Sequence, residues 1–148
     1  MRQILLKISK CILLLFVIQT SLKAQIATAP TTGDGSSGNP YQISTPDNLY
    51  WMHYQVNFNS NNFSGKYFKQ MNHIDASATS TWFSASGWRP IGTSDDSNFT
   101  TYKAFSGNYN GQSYVISNLS INTGSANGYG LFGVKDQYQA ATQHIREV

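Results

Sequence analysis

The chain has 148 residues, 40% of them apolar and 11% charged, with ten basic residues, seven acidic ones and a single cysteine. Four of the basic residues and the cysteine lie within the first 24 positions, so residues 25–148 keep six basic and seven acidic side chains and no cysteine. That balance excludes the basic surface that nucleic acid or an anionic membrane requires, and it excludes a disulfide framework.

The first 24 residues have the layout of a cleaved secretory signal peptide. Arg2, Lys7 and Lys10 form a basic start, Cys11 to Ile18 an apolar core, and Ala24 a small residue at the predicted cleavage site. The apolar core is too short to span a hydrocarbon layer of about 30 Å comfortably. Cys11 has no Leu-Ala-Gly-like run before it, which argues against a lipoprotein anchor. The expected location is therefore secreted or at the cell surface, with no membrane partner after cleavage.

Residues 25–38 are rich in Thr, Ala, Ser and Gly without apolar period and are expected to form a flexible lead-in. Asn39-Pro40 marks a turn, and Tyr41 to Ser44 is predicted as a strand with Ile43 inward. One helix follows. Thr45 is placed to cap it, with Pro46 at the first helical position and Asp47 in the first turn. Leu49, Met52, His53 and Val56 then recur at i, i+3, i+4 and i+7. His53 falls on this apolar stripe and is expected to be partly buried, holding a backbone carbonyl.

Asn57 to Gly65 is an asparagine-rich loop, since Asn tolerates left-handed backbone angles and bonds its own backbone. Lys66 to Asp75 is predicted as an irregular or kinked strand with Phe68, Gln70, Asn72 and Ile74 on one face. Ala76 to Ser86 is a small-residue loop carrying Trp82 and Phe83. From Gly87 to Gly133, runs of two to four apolar residues alternate with Gly, Asn and Ser. This rhythm suits a stack of short strands, each of which needs a neighbouring coil to cover it. Within it, Asn110-Gly111 signals a tight turn, and Ser117-Asn118 divides two strand pieces at a kink.

Several groups of residues, taken in order, resemble the GLUG-motif repeat region of secreted and surface proteins from Bacteroidetes-like bacteria. They are Asn39 to Thr45, Lys66 to Lys69, Ile74-Asp75, Trp88 with Pro90-Ile91-Gly92, Phe105-Ser106-Gly107, Ile116 to Leu119 and Gly130 to Gly133. The resemblance covers residues 39–134 and implies a mostly β domain built as a right-handed parallel β-helix-like stack, with one short helix near its start. It also implies an adhesin-like role. The chain departs from the family pattern at His73 and Asn110, where an Asp is usual, and after Gly133. There residues 135–148 are charged and helix-compatible, a diverged or truncated tail.

No catalytic group or metal site is predicted, and no cofactor. His53, His73 and Asp75 lack a metal-ligand spacing, and Asp34-Gly35, Asp95-Asp96 and the Asn57 to Asn62 loop supply oxygen ligands without the regularity of a calcium loop. The chain from residue 25 has no cysteine nucleophile and no Gly-x-Ser-x-Gly elbow. Aromatic side chains make the stronger case: Trp82, Tyr102 and Tyr109 are the candidate ligand-binding residues, able to stack on sugar rings or grip a protein if exposed. Trp88, within a motif, is expected to pack. The chain is therefore expected to be a non-enzymatic binding module for an extracellular glycan or protein. The alternative is an accessory or degenerate fragment of a carbohydrate-active or peptidase-containing surface enzyme.

Overall fold

The computed structural model describes residues 25–94, 102–122 and 130–133. The predicted signal peptide, Asp95-Asp96 and the tail 135–148 lie outside the described residues.

Strand β1 (Tyr41–Ile43) leads directly into helix α1 (Pro46–Asn57), and the chain returns as β2 (Tyr67–Gln70). β1 and β2 pair in parallel, with Tyr41 opposite Phe68 and Ile43 opposite Gln70. A parallel pair needs a crossover connection, which α1 supplies. Thr45 caps the helix as expected. Its hydroxyl accepts from the Asn48 amide at 3.2 Å while the Asn48 side chain reaches back to the Thr45 amide at 3.3 Å. These reciprocal bonds satisfy two donors that the first turn would otherwise leave unpaired. The stripe Leu49, Met52, His53 and Val56 is buried, as its spacing predicts.

The expected strand over Lys66 to Asp75 breaks in two, β2 and β3 (Ile74–Asp75), with the corner at Met71 to His73. The Asn72 amide holds that corner by donating to the Ser44 carbonyl at 3.1 Å. Gln70 is buried on the Phe68 face, yet its polar atoms are satisfied: Nε2 donates to the Asn72 carbonyl at 2.9 Å and Oε1 accepts from Tyr109 at 3.1 Å. A 3-10 segment (Ser77–Thr81) and a single helical turn, α2 (Trp82–Ala85), follow. After β4 (Thr93–Ser94) and β5 (Tyr102–Lys103), strand β6 (Asn108–Asn110) joins the other edge of β2 in parallel. The predicted turn after it closes with the Tyr114 amide donating to the Gly111 carbonyl at 2.9 Å, and the chain continues into β7 (Ile116–Ser117). Asn118 then turns the corner at φ 57°.

The short motifs are one another's hydrogen-bond partners. The sheet order is β1-β2-β6, and β3 pairs with β7 in parallel. Ile91 bridges Phe132 in parallel, with the Ile91 amide donating to the Leu131 carbonyl at 3.0 Å and the Gly133 amide to the Ile91 carbonyl at 3.1 Å. Gly87 bridges Ile121, and this approach depends on glycine: at φ 82°, an added Cβ would run into the Ser120 carbonyl.

A right-handed β-helix is not what these residues build. The parallel pairing is present, but it is spread over a three-stranded and a two-stranded sheet, and β4 pairs with β5 antiparallel. No solenoid or closed barrel forms among the described residues. The reason lies in α1: its Leu49, Met52 and Val56 share one apolar cluster with Ile43, Phe68, Ile74, Trp88, Ile91 and Phe105. A twelve-residue helix thus supplies core side chains that a β-helix would draw from successive coils. Among the described residues the fold is small parallel sheets, one antiparallel pair and two helices.

The lead-in is also fastened rather than loose. The Gln42 amide donates to the Thr32 carbonyl, the Tyr67 amide to the Gly35 carbonyl and the Asn48 side chain to the Thr28 carbonyl, at 3.0 to 3.1 Å. Composition alone missed this, because the partners lie on β1, β2 and α1.

Candidate functional site

Helix α1 presents a second stripe beside its buried one. Tyr50, Tyr54 and Phe58 follow at i, i+4 and i+8, and residues four apart lie on one side of a helix. Their rings form a chain of contacts, Tyr50 to Tyr54 at 6.4 Å and Tyr54 to Phe58 at 5.4 Å between centroids, the latter pair tilted by only 34°. Tyr54 is 40% exposed and Phe58 55%. The aromatic residues singled out from sequence did not include Tyr54 or Phe58. Their i, i+4, i+8 spacing was the signal that could have found them.

Phe83 extends the stripe from a different segment. Its ring lies 5.9 Å from Tyr50 and 5.5 Å from His53. Phe83, Ser84 and Ala85 all have left-handed backbone angles, with φ of 49°, 57° and 64°. Left-handed geometry costs an L-residue about 1–2 kcal/mol, so the turn that presents Phe83 is held under strain by its surroundings. The Arg89 guanidinium lies over the Phe83 ring, 4.5 Å from its centroid, and Arg89 is exposed. Among the described residues no carboxylate pairs with it.

Beneath the stripe, His53 is 1% exposed. Its Nδ1 lies 3.1 Å from the Pro90 carbonyl oxygen and 2.9 Å from the Asn57 amide nitrogen, in line with the expected hold on a backbone carbonyl. Nε2 has no hydrogen-bond partner. The ring is stacked with Tyr50 at 5.6 Å and meets Phe58 and Trp88 at 5.8 and 5.9 Å. Burial pushes its pKa down from 6.5 to about 4, the nearby Arg89 charge acting in the same direction, so the imidazole is neutral at pH 7. Asn57 completes the clamp: its amide donates to the Pro90 carbonyl and its carbonyl accepts from the Gly92 amide, both at 2.9 Å. Helix α1 and the Trp88 to Gly92 segment are thereby tied together, with Arg89 next to the clamped Pro90.

Of the three residues singled out from sequence, Trp82 and Tyr109 have described side chains. Trp82 is 3% exposed and packs on Tyr50 and Trp88, so it is a core side chain and offers no stacking surface. The small polar residues around it had suggested an exposed loop, but the 3-10 segment and the strained turn fold the indole inward. Tyr109, half-buried on β6, donates its hydroxyl to Gln70 and packs on Phe132 at 5.5 Å; burial pushes its phenol pKa well up. Tyr102 opens β5, and its side chain lies outside the described residues. Trp82 and Tyr109 take part in different contact sets and form no common site. Trp88 packs as expected, 1% exposed, with its indole nitrogen donating to the Leu131 carbonyl at 3.3 Å.

Among the described polar candidates, His73, Asp75, Asp34, Asn61 and Asn62 are bonded to the chain itself. His73 Nδ1 accepts from the Val115 amide at 3.0 Å. Asp75 accepts from Asn118 and from the Ser77 amide, both at 3.0 Å, and these bonds hold its carboxyl below the usual carboxylate range. Asp34 accepts from the Ser36 amide at 2.8 Å, with the same effect. In the Asn-rich loop, Asn61 and Asn62 accept from the Phe63 and Ser64 amides. Among the described residues no three His, Cys, Asp or Glu side chains converge, and no helix is long and apolar enough to cross a membrane.

Over 111 residues, 74% of its length, the chain is 37% identical to halomucin of Haloquadratum walsbyi (strain DSM 16790 / HBSQ001), and it spans about 1% of the length of that protein. No family model matches the chain, and no solved structure matches it. The chain is thus similar to a surface protein over most of its own length.

Proposed function

We propose that this chain is an exported cell-surface binding module without catalytic activity, carrying one GLUG-type repeat over residues 39–134. The observation that carries the cell-surface part of this reading is the 37% identity with halomucin across 74% of the chain; the GLUG-type repeat rests on the motif resemblance alone. The export-type layout of residues 1–24 supports it, as do the cysteine-free sequence that follows and a surface aromatic stripe held on a clamped helix. Polar side chains that could have served chemistry, among them His73, Asp75 and Gln70, are engaged in tying backbone segments together.

The test has two parts. Cell fractionation with N-terminal sequencing is expected to find the protein outside the cytoplasm and beginning at Gln25. Cytoplasmic retention of an intact N-terminus would refute the export half. An array of extracellular glycans and proteins, probed with folded protein, is expected to return a ligand; a blank array would refute the binding half.

A further inference from the structure

We propose that the stripe formed by Tyr54, Phe58, Phe83 and Arg89 is a binding site for an acidic polysaccharide, a sugar chain bearing carboxylate or sulfate groups. The inference deepens the binding-module reading and rests on it. Tyr54 and Phe58 supply adjacent exposed rings tilted by only 34°, a surface suited to the apolar faces of sugar rings. Arg89, over Phe83 at one end of the same stripe, supplies a cation with a planar fork of donors, which matches a carboxylate or sulfate. Gln55 and Asn59, each next in sequence to one of the two rings and joined at 3.3 Å, carry amide groups that can bond sugar hydroxyls.

Two observations favour this occupant over a folded protein or a second copy of the chain. The first is size: an aromatic side chain buries about 150–250 Å², so two half-exposed rings offer roughly 200 Å². A stable protein interface needs about 800 Å² from each partner. The second is charge: Arg89 is exposed and without a carboxylate partner among the described residues, so an anionic ligand finds a complementary group over Phe83, whose ring meets Tyr50 in the same chain of rings. The clamp from His53 and Asn57 to Pro90 ties the backbone beside Arg89 to helix α1 before any ligand arrives, which reduces the ordering cost of binding.

The full chain is titrated with polygalacturonate, its fully methyl-esterified form, dextran and dextran sulfate, with amide shifts followed by NMR. The expected result is binding of the two anionic polymers in preference to the neutral ones, with shifts confined to residues 50–59 and 83–89. Tyr54→Ala and Phe58→Ala are each expected to weaken binding roughly tenfold, the effect of one good ring contact. Arg89→Gln is expected to abolish the preference for the charged polymer, while Arg89→Lys keeps part of it. Urea midpoints of all four variants report that the fold is retained.

Equal binding of charged and neutral polymers, a preference that survives Arg89→Gln, or shifts located elsewhere would each overturn the proposal. So would self-association that Phe58→Ala abolishes. An array ligand whose binding survives the Tyr54→Ala and Phe58→Ala double variant overturns this site and leaves the binding-module reading intact; a blank array overturns both.

Discussion

His53 shows how a single side chain can act on both packing and pH response. It is buried among Tyr50, Phe58, Phe83 and Trp88 as a neutral imidazole, with a pKa near 4 against 6.5 for an ordinary histidine. Because the folded value is the lower one, the unfolded chain binds the extra proton first as pH falls. His53 therefore contributes its full stability above about pH 6.5, loses it progressively between about 6.5 and about 4, and loses no more below that. At 1.36 kcal/mol per unit the total is about 3 kcal/mol. Urea unfolding at pH 7.5 and 4.5 is expected to show a loss of this order, and His53→Gln is expected to remove most of it. A pH-independent midpoint in the native chain would contradict the assignment. Asp34 and Asp75, held below the usual carboxylate range, act only at lower pH and leave this window clear. Gly87 is the other residue-scale test. Gly87→Ala forces a Cβ toward the Ser120 carbonyl at a left-handed φ, so a loss of more than about 2 kcal/mol in urea unfolding is expected.

At the scale of elements, α1 is the connection on which both the core and the surface stripe depend. Thr45→Ala removes the hydroxyl that accepts from the Asn48 amide, and a cap of this kind is worth about 1 kcal/mol. Asn57→Ala should cost more, about 2 kcal/mol or above. It leaves the Pro90 carbonyl without the Asn57 donor and the buried Gly92 amide without its acceptor. The two variants are distinguishable by hydrogen exchange. Thr45→Ala should speed exchange in the first turn of α1, whereas Asn57→Ala should speed it from Trp88 to Gly92. Equal effects on both segments would mean that the helix and the loop do not separate. The left-handed turn at Phe83 to Ala85 is legible only as an element: Ser, Ala and Phe carry no preference for positive φ, and tertiary contacts impose it.

At the scale of the whole molecule, stability comes from pairing between segments far apart in sequence. Phe132, half-buried, packs on Phe105 at 5.0 Å and on Tyr109 at 5.5 Å, and its neighbours Leu131 and Gly133 bond to Ile91. Phe132→Ala is expected to destabilise the protein by about 2 kcal/mol, measured as a shift of the urea midpoint. It should also raise exchange at Ile91, 41 positions earlier in the chain. A local effect confined to residues 130–133 would show that this segment is an appendage. The fastening of Thr28, Thr32 and Gly35 onto α1, β1 and β2 has the same character, and it is why a composition of Thr, Ser and Gly does not make residues 25–38 a free linker.

The local order of residues was enough to determine α1, its Thr45 cap, its buried stripe, the irregularity of Lys66 to Asp75 without its position, and the kink at Ser117-Asn118, because each follows from short-range spacing or from backbone preference. It also marked Trp88 as a packed residue through its place beside Pro90. Local pattern could not decide which way Trp82 faces, since that depends on the turn that folds it against Tyr50 and Trp88. Nor could it choose between a β-helix and small parallel sheets. Short strands with Gly and Asn corners serve both, and the choice is made only when α1 takes core positions that further coils would have filled. The surface stripe belongs to both levels: the spacing of Tyr50, Tyr54 and Phe58 is written in the helix period, but Phe83 and Arg89 join it only through the fold, Phe83 by its contacts with Tyr50 and His53 and Arg89 by lying over Phe83.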